Sequence, residues 1–317
     1  MALPHASQYS LPPAHAAMAA RGGPGTEIDG LVANWDFQPS QVSLDLRLRR
    51  VWNLVKGLRR APHHQTLVPV REQACWMLYF IFAPEGSLTS AHEFTLARLR
   101  DMGLPLLVVC AAPEPGQVPE RLRAFADALY WKALDGYDFS AYALGLHAVA
   151  AESPGATVCV MNDSVFGPFV DMRPFIAAAP WQLTGFTASS LIENHLQSYA
   201  FVMHDVRAQT LAPLASVLPT RFAFKRGIDV VLHQELCFAR KAARHGSVGA
   251  FWFSPDSKVV ADPTLMRPFE LVAAGFPFVK RSLMGKHSKF QDSEAVVALL
   301  RELGHPVPPG AGQGRTS

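Results

Sequence analysis

The feature that most constrains this chain is a pair of apolar runs separated by one helix. Ala74 to Ala83 is a nearly continuous apolar stretch rich in aromatics, and Leu104 to Ala111 is another. Runs of this length without polar alternation suit strands buried on both faces of a parallel sheet. Between them, Ser90 and Glu93 form a capping-box pattern, Phe94, Leu96, Leu99 and Met102 continue at helical spacing, and Gly103 stops the helix. Strand, helix and strand in so short a stretch make a βαβ unit, whose crossover is right-handed. The expected fold class is therefore α/β, a mixed and mostly parallel sheet of Rossmann type flanked by helices.

The alternation continues along the chain. Pro119 opens a helix to Leu129, Tyr130 to Leu134 is a short strand, Phe139 to Ala150 is helical, and Pro154 with Gly155 turns into the strand Ala156 to Met161. Trp181 to Thr187, Leu196 to Met203 and Val248 to Phe253 read as further strands. Ile228 to Arg244 reads as a long helix, Thr264 to Ala274 as a short one, Pro277 to Leu283 as extended and Ser293 to Leu303 as the last helix. These elements form one domain over residues 70–304, followed by a Pro/Gly tail over 305–317 that is expected to be disordered.

Two segments precede that domain. Residues 1–40 are rich in Ala, Pro, Gly and Ser, with the breakers Gly22, Gly23, Pro24 and Gly25, and are expected to form a flexible arm. Residues 41–62 hold an amphipathic basic helix, in which Leu44, Leu48, Val51, Leu54, Val55 and Leu58 recur beside Arg47, Arg50, Lys56, Arg59 and Arg60. The expected arrangement is a solvated helix packed on its own domain; peripheral contact with an anionic membrane is the second reading.

Composition excludes several classes. With 49% hydrophobic and 17% charged residues the chain has material for a core and is not disordered throughout. A formal charge of +3 is far from the basic stripe of a nucleic-acid binder, so no nucleic-acid partner is expected. Cys75, Cys110, Cys159 and Cys237 lie far apart without zinc-ligand spacing, and three of them sit inside apolar runs, which suits free thiols in a reducing cytoplasm. Met1 to Arg21 lacks the basic and apolar segments of a secretory signal, and no apolar run approaches the roughly 20 residues of a membrane span. A cytoplasmic location, with optional contact to the inner membrane, follows as the expectation.

In an open α/β sheet, ligands bind beyond the carboxyl ends of the strands. Two segments lie there. Asn162, Asp163 and Ser164 crown the strand Ala156 to Met161, where small oxygen-bearing side chains can hold a hard cation against a diphosphate; an ordinary Asx turn explains them equally well. Gly136 and Asp138 stand where a strand passes into a helix, with Asp138 expected at the N-cap.

Taken with their neighbours, these segments resemble a known family. Gly136-Tyr137-Asp138-Phe139, Asn162-Asp163-Ser164-Val165-Phe166-Gly167-Pro168, His195-Leu196-Gln197-Ser198-Tyr199 and Pro277-Phe278-Val279-Lys280 are similar, in order and separation, to the rhamnan synthesis protein F family, over about Ala74 to Leu303. The resemblance implies a GT-A-like glycosyltransferase that takes a nucleotide sugar as donor and a surface glycan or lipid-linked glycan, often rhamnose-containing, as acceptor. It implies donor contacts from Gly136, Asp138, Asn162, Asp163, Ser164 and Lys280, with Asp163 as the metal ligand for Mg²⁺ or Mn²⁺. Asn162 and Ser164 replace carboxylates of the usual metal motif, so Lys280, Arg281 or Lys286 can share in neutralising the leaving diphosphate. Lys132 and Leu134 stand where the family usually shows Arg and Asn.

Glycosyl transfer with inversion needs a base for the acceptor hydroxyl. Glu235, at a position where the family also carries Glu, is the first candidate and His195 the second, with Gln197 and Thr187 as acceptor contacts. The competing readings are a non-catalytic glycan-binding protein of the same fold and a membrane-associated assembly factor working through residues 44–60.

Overall fold

The structure, a computed structural model, describes residues 22–255 and 262–307. In chain order its strands are β1 (Val32–Asp36), β2 (Leu58–Arg60), β3 (His64–Val68), β4 (Cys75–Phe82), β5 (Leu106–Ala111), β6 (Ala128–Lys132), β7 (Ala156–Asn162), β8 (Val165–Phe166), β9 (Leu183–Ser189), β10 (His195–Leu196), β11 (Ala200–Val206), β12 (Phe222–Phe224), β13 (Val248–Ser254) and β14 (Val279–Lys280). The helices that matter for the site are α1 (Leu44–Gly57), α2 (Ser90–Asp101), α3 (Tyr137–Glu152), α4 (Gly227–Val230), α5 (Leu236–Ala242) and α6 (Ser293–Glu302).

The main sheet runs β1-β13-β9-β11-β7-β4-β5-β6-β3, with β10 attached to β9. Its centre, β7, β4, β5 and β6, is parallel, as the apolar runs required. β11 runs antiparallel between β7 and β9, and the two edges, β1 and β3, are also antiparallel to their neighbours. Strand period divides β4 cleanly: Trp76, Leu78 and Phe80 enter the core on one face, Met77, Tyr79 and Ile81 the core on the other. α3 belongs to the first core through Phe139, Tyr142, Leu146 and Val149, and α2 to the second through Leu96 and Leu99. Fully burying one such side chain stabilises the fold by about 1.5–3 kcal/mol, so the two-sided sheet dominates its stability. Both faces are therefore committed, and ligands are left the strand ends.

The structure departs from the expected elements in several places. The proposed arm is ordered over its second half: β1 pairs with β13 from Val32↔Phe253 to Asp36↔Gly249, and Trp35 stacks on Phe253 with ring centroids 4.0 Å apart. Residues 1–21 lie outside the described residues. α2 is capped by Thr89 and His92, one position before the pattern read from Ser90 and Glu93. The helix after Pro119 is reduced to Leu122–Phe125, and the edge strand β3 carries too little apolar pattern to have been read. The stretch 264–274 is two helices, Pro263–Met266 and Pro268–Ala273, because Pro268 pushes Arg267 out of helical geometry, to φ −136° and ψ 45°. At the far end His305 is buried against Phe94 and Phe166, so the tail begins beyond it; residues 308–317 lie outside the described residues.

Candidate functional site

The centre of the site is Asp163, the first residue beyond β7. Its Oδ2 accepts from the Phe82 backbone N–H at 3.0 Å and lies 3.1 Å from His92 Nε2. His92 Nδ1 accepts from the Thr89 N–H at 3.3 Å, which leaves the ring proton on Nε2 to be donated to Asp163. Oδ1 receives no hydrogen bond among the described residues. One oxygen is thus fixed by the ends of β4 and α2 while the other stays available.

Basic side chains reach this carboxylate through a small second sheet. β14 pairs antiparallel with β8, matching Lys280 to Val165 and Val279 to Phe166. Arg281 follows directly, donating its backbone N–H to the Ser164 carbonyl at 2.9 Å and Nη1 to the Asp163 carbonyl at 2.8 Å. The guanidinium lies 3.8 Å from Asp163 Oδ2. Around this pair opens a cleft of about 610 Å³ that also presents Lys280, Lys286, His287, Ser164 and Glu85. A cavity of this size with so many cationic side chains suits an anionic ligand better than an apolar one.

Asn162 connects the cleft to a second pair of carboxylates. Its Oδ1 accepts from the Ser164 N–H and hydroxyl at 3.0 and 2.6 Å, the Asx-type turn foreseen as the plain alternative. Its Nδ2 donates to Asp138 Oδ2 at 3.1 Å and to the Tyr142 hydroxyl at 2.8 Å. Tyr142 donates onward to the Ser198 carbonyl at 2.9 Å, and Ser198 gives its N–H and hydroxyl to Glu235 Oε1 at 3.1 and 2.9 Å. The two carboxylates interact: burial first, and the charge of Glu235 second, push the Asp138 carboxyl up to about 6. Glu235 closes a π-helical turn, Val231–Glu235, between α4 and α5, and Oε2 receives no hydrogen bond among the described residues. Such turns recur at functional sites because the extra residue redirects a side chain.

Asp138 does not cap α3. Gly136 does, with φ +86°, and Asp138 sits in the first turn, where its Oδ1 accepts from the Phe139 N–H at 2.9 Å. A Cβ on Gly136 would lie 2.8 Å from Ser140 Oγ and 2.9 Å from Ala223 Cβ, so glycine is required for packing as well as for its backbone. Beside Asp138, Lys132 is buried, and its Nζ donates to the Ala133 and Asp135 carbonyls at 2.9 and 2.7 Å. Desolvation pulls this amine down to about 8 against the opposing pull of Asp138 and Asp135.

The residues read as acceptor contacts are placed elsewhere. Thr187 and Gln197 are buried and bonded to each other, Thr187 donating to Gln197 Oε1 at 2.5 Å and pairing with the Tyr199 hydroxyl at 2.6 Å. Their role is to fix Tyr199, over whose ring Lys280 Nζ stands at 4.4 Å. His195 is buried at the start of β10, with Nδ1 donating to the Glu193 carbonyl at 2.8 Å, and does not line the cleft. A buried network satisfies these polar groups, so their polarity does not mark a ligand.

The donor set does not form a cation cage. Among the described residues no three His, Cys, Asp or Glu side chains converge. Asn162 Oδ1 is occupied by Ser164, and an arginine stands beside the Asp163 carboxylate. Mg²⁺ or Mn²⁺ would find one free carboxylate oxygen, on Asp163, with its remaining ligands supplied by a bound phosphate and water. His92 and His287 carry no spacing signal in the sequence, and Ser198, in the turn between β10 and β11, appeared there only as part of a motif, without its bond to Glu235.

Among curated proteins none matches the chain. A crystal structure of 4-diphosphocytidyl-2C-methyl-D-erythritol synthase from Anaerococcus prevotii DSM 20548 aligns with 64% of this chain and 96% of that one, at 13% identity and a TM-score of 0.36. The family model described as rhamnan synthesis protein F matches residues 106–304. That span runs from β5 past α6 and contains Gly136, Asp138, the Asn162–Ser164 turn, Glu235 and Lys280; the chain belongs to the rhamnan synthesis protein F family.

Proposed function

We propose that this protein is a glycosyltransferase of GT-A-like fold, moving a sugar from a nucleotide-sugar donor to a surface polysaccharide or lipid-linked glycan. The observation that carries the reading is the cleft in which Asp163, anchored by His92 and the Phe82 N–H, faces Lys280, Arg281 and Lys286. Three basic side chains around one carboxylate suit a diphosphate, whose charge grows as it leaves the sugar. The acceptor oxygen attacks the anomeric carbon, the carbon–oxygen bond to the diphosphate breaks, and the electron pair departs with the diphosphate. Glu235, which stands outside the residues that line the cleft and is joined to it through Ser198, Tyr142 and Asn162, is the proposed proton acceptor, since Ser198 holds one of its oxygens and leaves the other free. Asp138, linked through Asn162 to the same network, holds the turn that carries Asp163.

Calorimetric titration of the full chain with a panel of nucleoside diphosphates, with and without Mn²⁺, tests this reading. Saturable binding whose Mn²⁺-dependent part is lost in Asp163→Ala, together with glycosyl transfer from a nucleotide sugar that is lost in Glu235→Gln, is the expected result. Absence of binding to every nucleotide overturns it. Binding without transfer to any glycan acceptor would favour a glycan-assembly protein of the same fold.

A further inference from the structure

α1 is attached to the domain by the side that a globular helix usually turns to water. Arg50, Asn53 and Gly57, at i, i+3 and i+7, face inward: Arg50 Nε donates to the Leu232 carbonyl at 2.8 Å, its Nη2 pairs with the buried Glu193, and Asn53 Oδ1 accepts from Arg226 at 3.2 Å. A Cβ on Gly57 would lie 2.4 Å from an Asp229 oxygen, so the helix sits tight at this end. β2, which follows at once, is clamped antiparallel to β12. The helix is therefore bound, and its opposite side is what remains for another surface.

That opposite side is apolar. Leu44, Leu48 and Val51, at i, i+4 and i+7, are exposed by 71%, 61% and 66%, with Trp52 beside them at 66%. Exposed apolar stripes of this kind mark interaction sites. Residues 44–60 carry Asp45 as their single acid, whereas Arg47, Arg49, Arg59 and Arg60 are all exposed there. The loop before Glu193, which anchors Arg50, adds the exposed Leu191 and Ile192.

We propose that α1 is a peripheral membrane anchor that lies in the interface of an anionic bilayer, its leucines, Val51 and Trp52 among the acyl chains and its arginines at the headgroups. A basic excess around an apolar stripe, with the one acid, Asp45, paired to Arg49 at 3.0 Å, matches anionic lipid, whereas the apolar centre of a protein interface is depleted of charge. Among the described residues no helix is long and apolar enough to cross a membrane, so attachment by α1 is to one leaflet. Because α1 rests on the π-helical turn that ends at Glu235, the bilayer would lie beside the element carrying that carboxylate. The anchor is independent of what the cleft transfers.

Sedimentation of the full chain with vesicles tests it. The protein is expected to pellet with vesicles of phosphatidylglycerol and phosphatidylcholine, less at high salt, and to stay in solution with phosphatidylcholine alone. The triple variant Leu44→Ser/Leu48→Ser/Val51→Ser and the double variant Arg47→Glu/Arg60→Glu should each lower the partition coefficient about tenfold or more. These side chains are exposed, so circular dichroism and the thermal midpoint should be unchanged. Brominated acyl chains should quench tryptophan fluorescence in the wild type and much less in Trp52→Phe. Failure of the wild type to bind anionic vesicles, or binding undiminished in the triple variant, overturns the proposal. So does a wild-type dimer that the triple variant converts to monomer without any vesicle binding, which would assign the stripe to a second copy.

Discussion

His92 Nε2 stands 3.1 Å from Asp163 Oδ2, across 71 positions of sequence, and the buried imidazole is itself held by the Thr89 N–H. The cap of α2 thereby sets the orientation of the carboxylate at the end of β7. His92→Ala should lower the free energy of unfolding by about 1–3 kcal/mol, since it leaves a partly buried carboxylate oxygen with one donor fewer. It should also weaken nucleoside diphosphate binding, because Asp163 becomes free to turn toward Arg281. Urea denaturation and calorimetry on the same variant check the two effects, and His92→Gln, which keeps a donor, should recover part of both.

The Asp138–Glu235 pair gives the protein a defined pH dependence. Asp138 titrates near 6 rather than at its ordinary 3.8, so the folded state holds the proton more tightly than the unfolded chain. Its contribution to stability is present in full below pH 3.8 and is lost as the pH rises through about 6. Glu235→Gln removes the second cause of the shift. The variant should show a smaller loss of stability across this window, and the carbon-detected titration of the Asp138 carboxyl should move to lower pH. A titration that stays near 6 would mean that burial alone sets it.

Gly136 combines a left-handed φ of +86° with neighbours less than 3 Å from any added Cβ. Gly136→Ala should destabilise the protein by about 1–3 kcal/mol and displace the first turn of α3, where Asp138 sits. Thermal unfolding measures the first effect. The second should appear as weakened transfer even at temperatures where the variant is fully folded.

The parallel centre of the sheet was legible because β4, β5 and β7 are buried on both faces and carry almost no polar residue. Asp163 was legible for the complementary reason, as the polar residue that ends such a run. What the sequence hid is pairing between distant segments. Nothing local shows that His92 in a capping box meets Asp163, or that β14 docks on β8 and so carries Arg281 to the Ser164 carbonyl. Thr187 on β9 and Gln197 just after β10 misled because a polar side chain looks the same in the sequence whether it faces a ligand or, as here, another buried polar group. The apolar period of α1 is plain in the sequence, but which of its sides packs on the domain is decided by Glu193 and Asp229, far away in the chain.

Lys280 offers the most direct test of the diphosphate reading. Its Nζ stands over the Tyr199 ring, and that ring is fixed by Thr187 and Gln197, so the amine is positioned without an ion pair of its own among the described residues. A cation held by an aromatic face rather than by a carboxylate keeps its charge available to an incoming anion. One charge-assisted contact contributes about 1.5–3 kcal/mol, so Lys280→Ala should weaken nucleoside diphosphate binding about tenfold or more. Affinity for the uncharged nucleoside should change little, and the salt dependence of diphosphate binding should become shallower. Lys280→Arg should restore much of the affinity, because a guanidinium also stacks on the ring. Equal losses for nucleoside and diphosphate would instead mean that Lys280 shapes the pocket without meeting the phosphates, and would leave the charge to Arg281 and Lys286.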